Sequence, residues 1–397
     1  MIRSGFDEKI SLLGLGCMRF PCIDGDDARP DREKVQELVD TAMRSGVNYF
    51  DTAWCYHEEK SEETIGEALS KYERGSYYLA DKFPGYDVSN MGKVKEIFEE
   101  QLKRCKTDYF DFYLLHNLCE MNIKEYLDPA YGVIPYLLEQ KKNGRIKHLG
   151  FSTHARIETL KEFFAAFEGD IPFEFCQIQL NWLDYHFQEA YKKVDLLNEL
   201  NIPIWVMEPV RGGRLIWLEN EHAQMLEEAA PGRSTAEWAF RFIESMPGVS
   251  LILSGMTEID QLNENIRIFE SKKTLTEEEI SLLFSIASQM TEGVPCTKCH
   301  YCTPHCPQGI DIPLMISLYN ENTFTKGGWR APKALQAIPE DKWPRSCLSC
   351  GACSAVCPQK IDIPAVMKDF AKQLLIPPSE PQPVLQYKMA HPEKFKS

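Results

Sequence analysis

The sequence predicts an α/β fold: a (β/α)8 TIM barrel over residues 1–275, a smaller helix-and-loop unit over 276–376, and a Pro-rich tail over 377–397. Three observations predict it. Between residue 10 and about residue 268, eight short β-rich runs alternate with helical stretches, which fits a closed parallel barrel better than a doubly wound sheet. The first run is not followed by the glycine-rich turn of a dinucleotide-binding sheet: Gly14-Leu15-Gly16 is too short, and no helix comes close behind it. Past residue 290 the alternation stops, and eight of the chain's 14 cysteines crowd into two short runs.

The strand-like runs are residues 12–15, 47–50, 77–80, 110–115, 147–151, 175–180, 204–207 and 250–253. Helical periodicity marks 31–45, 61–72, 91–105, 188–200 and 235–245 between them. Asp31 is a suitable start for the first of these helices and Gly46 a suitable stop. A further helix, 276–290, opens on the N-cap-like Thr276 with Glu277 to Glu279 in its first turn. Residues 312–319 read as helical, whereas 321–345, with Gly327-Gly328 and three prolines, read as loop. Residues 377–383 are Pro-rich and expected to be extended.

At 397 residues, with 44% hydrophobic and 26% charged residues, the chain has ordinary globular composition and room for a large core. Its net charge of −15 argues against nucleic acid and anionic membrane as partners. Residues 1–20 lack an apolar run behind a basic stretch, and no window is long and apolar enough to span a bilayer, so a cytoplasmic protein is expected. Six cysteines (Cys17, Cys22, Cys55, Cys105, Cys119, Cys176) follow no spacing and read as small buried hydrophobes; Cys55 stands out only because it precedes Tyr56.

The remaining cysteines form Cys296, Cys299, Cys302, Cys306-Pro307 and Cys347, Cys350, Cys353, Cys357-Pro358. Each run reads C-x2-C-x2-C-x3-C-P, the bacterial spacing for [4Fe–4S] clusters. The repeat continues: Pro307-Gln308-Gly309-Ile310-Asp311-Ile312-Pro313 is matched by Pro358-Gln359-Lys360-Ile361-Asp362-Ile363-Pro364. In two-cluster proteins the fourth cysteine of each run serves the other cluster, which predicts one set of Cys296, Cys299, Cys302 and Cys357 and another of Cys347, Cys350, Cys353 and Cys306. Structural zinc rarely uses a triple C-x2-C-x2-C, and a reducing compartment disfavours disulfides. His300 and His305 lie inside the first run as neighbours rather than ligands.

In a parallel barrel, chemistry sits in the loops that follow the strand C-termini. Three consecutive runs end in ionisable groups. The run 47–50 meets Asp51, with Tyr56 five residues on; 77–80 precedes Asp81-Lys82; 110–115 meets His116. Asp51-Thr52-Ala53-x-x-Tyr56, then Ser61-Glu62 and Ile65-Gly66-x-Ala68-Leu69, resembles the signature of the aldo-keto reductase superfamily. The Lys82 segment, Leu114-Leu115-His116 and Gly150-Phe151-Ser152 follow in that family's order, so the resemblance spans about residues 8–270. It implies carbonyl reduction by a catalytic tetrad of Asp51, Tyr56, Lys82 and His116. Such chemistry needs these residue types. A hydride leaves an alkoxide, a phenol can protonate it, an adjacent ammonium lowers that phenol's pKa, a carboxylate holds the ammonium, and an imidazole donates to the oxygen.

The resemblance also implies a nicotinamide across the barrel mouth. Ser152 and Gln177 match the positions that hold its carboxamide, and Thr153 stands where the family usually has Asn. Met207, followed by Glu208, takes the place under the ring; Arg211-Gly212-Gly213 can bring a cation and N–H groups to a pyrophosphate. Met18 and Arg19 after the first strand, Ser254-Gly255-Met256, and Gln261 through Asn265 complete the expected cofactor contacts. NADPH-dependent relatives carry Lys and Arg where this chain has Gly255 and Gln261, so the phosphate fork is missing and NADH is favoured within NAD(P)H.

Clusters move single electrons whereas nicotinamide moves two as hydride. A flavin mononucleotide (FMN) in the same place, fed by the clusters, is therefore the second reading, and a non-enzymatic redox sensor or electron carrier the third. Trp54, Phe83, Tyr86 and Trp182 follow barrel strands and suggest a wall for a small carbonyl or ring-bearing substrate, with an external electron-transfer partner for the cysteine unit.

Overall fold

Eight parallel strands close into a barrel in the order β1-β2-β3-β4-β5-β6-β7-β8. They are β1 (Leu13–Gly16), β2 (Tyr49–Asp51), β3 (Tyr78–Phe83), β4 (Phe110–Leu118), β5 (Ile146–Thr153), β6 (Cys176–Gln179), β7 (Ile204–Met207) and β8 (Val249–Ser254). Closure is made where β1 pairs with β8, Leu13 opposite Ile252 and Leu15 opposite Ser254. The computed structural model describes residue 6 and residues 8–375 apart from residue 272; the expected extended segment 377–383 lies outside the described residues. The chain divides between Ser281 and Leu282 into two compact units.

Each strand is followed by a main helix: α1 (Arg32–Arg44), α2 (Ser61–Leu69), α3 (Val94–Arg104), α4 (Val133–Lys142), α5 (Ile157–Ala165), α6 (Ala190–Glu199), α7 (Thr235–Glu244) and α8 (Ile259–Glu270). Asp31 caps α1 by accepting the Lys34 N–H, and Gly46 leaves it at φ 79°. Two strands run further than their residue types suggest. Pairing of Lys82 with Leu114 and of Phe83 with Leu115 carries β3 past the poor strand-formers Asp81 and Lys82. Strand β4 continues to Leu118 through a register shift between Leu115 and Leu118, with Asn117 at φ 54°. His116 therefore sits in a bulge, a device that re-aims a side chain.

Tyr49, Phe112, Phe175 and Trp205 pack together inside the barrel, with ring centroids 4.7 Å apart for Phe112–Trp205 and 3.8 Å for Phe175–Trp205. Burying each such ring is worth about 1.5–3 kcal/mol. Two motif glycines permit close approach. A Cβ on Gly66 would lie 2.6 Å from the Cys105 backbone, and one on Gly150 would lie 2.6 Å from the Phe175 ring. Gly66 thus lets α2 rest against the end of α3.

The link into the second unit is helix α9 (Glu277–Met290), where Thr276 and Glu279 form reciprocal side-chain to backbone bonds of 3.2 and 2.9 Å. Beyond it lie α10 (Ile312–Thr325), α11 (Arg330–Gln336) and α12 (Ile363–Gln373). The expected loop over 321–345 is in part helical. Helix α10 runs on until Lys326 and Gly327 turn left-handed (φ 55° and 90°), and Pro332 is tolerated in the first turn of α11. The sequence duplication is also a duplication of backbone. Left-handed residues recur in matching places: Lys298 (φ 56°) and Ser349 (54°), His300 (61°) and Gly351 (75°), Gly309 (61°) and Lys360 (54°). Asp311 caps α10 and Asp362 caps α12 with bonds of 3.2 Å each. Ile310, Ile312, Ile316, Ile361, Ile363, Met367 and Phe370 form the unit's own core.

Candidate active site and cysteine cradles

Strand β2 ends at Asp51, and β3 carries Lys82 inward beside it. Both are almost wholly buried, 2% and 1% exposed, so their charges must meet each other. Lys82 Nζ donates to Asp51 Oδ1 at 2.5 Å, to the Thr52 carbonyl oxygen at 2.6 Å and to Tyr56 Oη at 3.4 Å. The ammonium also lies 4.8 Å from the centre of the Tyr56 ring. The His116 ring stands edge-on to Tyr56 at 6.0 Å and to Tyr86 at 5.1 Å. The four expected residues converge.

The signature residues around them are ties. Thr52 Oγ1 donates to Ser61 Oγ (2.9 Å), and Ser61 Oγ donates to the Cys17 carbonyl (3.0 Å), joining the ends of β1 and β2 to α2. Glu62 takes Gln101 Nε2 at 2.9 Å and Arg104 at 3.0 Å, and Gln101 Nε2 also reaches the Lys82 carbonyl at 3.0 Å.

Electrostatics at the mouth differ from the sequence expectation in one respect. Burial pushes the Tyr56 phenol up to about 12, and the nearby Lys82 ammonium only partly opposes this. Tyr56 is thus a protonated acid across the neutral range. Burial alone would lower Lys82, but the Asp51 carboxylate and then Tyr56 outweigh it and hold the ammonium above its usual value.

The residues expected around a cofactor divide into two groups. Ser152 and Gln177 lie opposite each other on β5 and β6. Gln177 Oε1 is buried without a hydrogen-bond partner, and Ser152 Oγ accepts the Asn117 N–H at 2.9 Å while its own proton remains to give. An orphaned amide acceptor beside a hydroxyl fits a carboxamide. Met18 and Arg19 are exposed, and the Arg19 stem lies across Gly255, where a Cβ would meet its Cγ at 2.8 Å. Met207 ends β7, and Glu208 (φ 53°) and Gly212 (φ 63°) follow it, the first two half-buried.

Other expected contacts are engaged within the protein. Thr153 Oγ1 donates to the Leu118 carbonyl (2.8 Å) and accepts the Ala155 N–H (2.9 Å). Arg211 is buried rather than presented as a cation, its Nε donating to both Asp184 oxygens at 3.0 Å. Gln261 Oε1 accepts the Thr257 and Glu258 N–H groups in a capping box for α8. Asn265 donates to Ser254 Oγ at 3.1 Å, and Met256 is buried. Of the expected aromatic wall, Phe83 packs edge-on against Tyr126 at 6.3 Å and Trp182 is core. Trp54 lies under the Arg104 guanidinium at 3.8 Å, which leaves Tyr86 beside His116.

In the second unit, the cysteines line two separate cavities. Cys296, Cys299, Cys302 and Cys357 line the first, with Pro313, Ile316 and Ile361. Cys306, Cys347, Cys350 and Cys353 line the second, with Ile310, Pro364 and Met367. Four sulfurs per apolar cradle, sorted in the crossed pairing, suit a cluster held by four thiolates. His300 lines the first cavity and His305 the second.

A parallel barrel with this mouth, together with two four-thiol cradles, defines an oxidoreductase that carries an iron–sulfur unit. The chain belongs to the aldo/keto reductase family, whose profile matches residues 12–288, and a 4Fe-4S dicluster domain matches residues 295–361. It is similar to the uncharacterized oxidoreductase YqkF of Bacillus subtilis, 29% identical over 71% of this chain and 94% of that protein. It also resembles the NADH-specific methylglyoxal reductase of Escherichia coli, 24% identical over 66% of this chain and 90% of that one. Among solved structures, the holo form of the aldo-keto reductase AKR11C1 from Bacillus halodurans matches with a TM-score of 0.58 and 26% identity, covering 72% of this chain and 95% of that one. No helix among the described residues is long and apolar enough to cross a membrane.

Proposed function

We propose that the barrel reduces a small aldehyde or ketone with NADH, and that the cluster unit exchanges single electrons with an external redox partner. One observation carries this reading: the Tyr56 hydroxyl lies 3.4 Å from a buried ammonium that is itself anchored by Asp51. Ser152 and Gln177 would hold the nicotinamide carboxamide, and a nicotinamide bound there would supply hydride to the carbonyl carbon, leaving the negative charge on the carbonyl oxygen. Tyr56 Oη gives its proton to that oxygen, so the product is the alcohol. Lys82 stabilises the phenolate left behind until solvent returns a proton, and His116 donates a hydrogen bond to the same oxygen.

Support for NADH comes from the adenosine-side loop. Gln261 closes a helix cap and Gly255 offers no side chain, so no Lys–Arg fork awaits a 2′-phosphate. The similar Escherichia coli protein is NADH-specific by name. The paired cradles favour the second reading, FMN in the same mouth, because a flavin links one-electron and two-electron steps.

The test uses anaerobically purified protein with methylglyoxal and aromatic aldehydes as probes. NADH oxidation matched mole for mole by alcohol is the expected result. Acid release of a flavin, without nicotinamide turnover, would replace this reading by the second.

A further inference from the structure

Tyr56 is followed by three residues with left-handed backbone: His57 (φ 53°), Glu58 (φ 48°) and Glu59 (φ 68°). That region favours glycine, and residues with a Cβ persist there only where their surroundings compel them. Glycine would satisfy the backbone at position 57 more easily than histidine does. The reason for histidine therefore lies in its side chain.

The imidazole is buried, 3% exposed. Its Nε2 accepts the Phe20 N–H at 3.1 Å, which places the ring proton on Nδ1. Nδ1 faces Asp27 Oδ1 at 2.9 Å, the Asp27 carbonyl oxygen at 3.3 Å and Cys22 Sγ at 3.5 Å. The ring stacks on Phe20 with centroids 5.6 Å apart and planes 13° apart. All these partners belong to the segment after β1, which is closed on itself by the Cys22–Pro30 bridge and by the Ile23 N–H to Arg29 carbonyl bond of 2.9 Å.

Cys22, Asp27 and His57 offer three donor atoms within 4.8 Å of one another, a spacing a metal ion could use. A metal on Nδ1 would require the ring proton on Nε2, directed at the Phe20 N–H. The cluster is therefore a hydrogen-bonded latch. A second set of ties holds the turn itself. Arg104 covers Trp54 at 3.8 Å and pairs with Glu59 at 3.1 Å and with Glu62 at 3.0 Å. The turn that carries Tyr56 is thus tied at His57 to the segment after β1 and at Trp54, Glu59 and Glu62 to Arg104.

We propose that His57 is a positioning residue for Tyr56. By latching the turn onto the segment after β1, it keeps the Tyr56 hydroxyl against Lys82 Nζ; the inference rests on the reading of Tyr56 as proton donor.

The test compares His57→Gly and His57→Gln with wild type as full-length, cluster-loaded protein reducing methylglyoxal with NADH. His57→Gly supplies the residue the backbone prefers and removes the latch. His57→Gln keeps an acceptor for the Phe20 N–H. The expected result is a kcat lowered about tenfold or more in His57→Gly, at a substrate KM within about twofold and with unchanged cluster absorbance, because misplacement of a reacting group acts on the chemical step. His57→Gln recovers most of the loss.

A His57→Gly kcat within about twofold of wild type overturns the inference. So does wild-type protein that holds zinc lost on His57→Gly, which would make the cluster a metal site. Asp27→Ala, on an exposed residue, keeps the test open if His57→Gly does not accumulate. Its kcat falls in the same direction by about threefold, and an unchanged kcat sinks the latch. Failure of the reading beneath it is distinct: wild-type protein would then reduce no carbonyl at all.

Discussion

The barrel mouth and the cysteine unit both fix several reactive side chains around one point, and they do it in opposite ways. At the mouth, Asp51, Tyr56, Lys82 and His116 come from three strands and a loop, and meet only because β2, β3 and β4 pair in one register. In the cysteine unit, three thiols of each cradle come from one seven-residue run, aimed by left-handed turns that recur in both halves of the repeat. The first site is a property of the closed barrel. The second is written almost entirely in local backbone, and only its fourth ligand is remote. Damage at the mouth should therefore track strand geometry, and damage in the cradles should track ligand count.

Tyr56→Phe should separate the two regions most sharply. It removes the proton donor and leaves every cradle untouched, so carbonyl reduction should fall by about 10²–10⁴ while the brown cluster absorbance stays as in wild type. The wild-type pH profile should agree. Burial holds the phenol up to about 12, so the acid form is present through the neutral range and below it, and the rate declines only as pH climbs toward that value. A decline centred near neutrality would transfer the acid role to another group.

Next in size is the loss of one cluster. With crossed ligands, Cys296→Ala and Cys357→Ala attack the same cradle although they lie in different runs. Each should remove about half the bound iron, and the double variant should remove no more than either alone. A double variant that loses all its iron would break the crossed pairing. The smallest expected effect is that of Gly66→Ala. A Cβ 2.6 Å from the Cys105 backbone should lower the barrel's stability by about 1–3 kcal/mol, read by thermal unfolding, with the iron content unchanged.

Much of this was legible in the sequence, for identifiable reasons. Alternating runs marked all eight strands, because a parallel barrel buries both faces of each strand and leaves nearly continuous apolar text. The duplicated cysteines marked the cradles, because cluster ligation demands fixed spacing. What the letters hid was prior engagement. Arg211 reads as a free cation until Asp184 is found against it, and Thr153 reads as a ligand contact until its hydroxyl is seen holding Leu118 and Ala155. Phe83 and Trp182 read as pocket wall because residue type does not say on which side of a strand end the core lies. The part played by His57 was hidden for the same reason. Its partners, Phe20 and Asp27, are remote in sequence and become neighbours only when the first two strands pair.

The crossed pairing of thiols has a consequence for the order of events during synthesis. The first three sulfurs of the leading cradle leave the ribosome well before Cys357, and Cys306 must wait for Cys347, Cys350 and Cys353. Neither half can be finished before the other begins. A nascent chain therefore carries Cys296, Cys299, Cys302 and Cys306 uncommitted until the second run emerges, and both cradles become complete at almost the same moment.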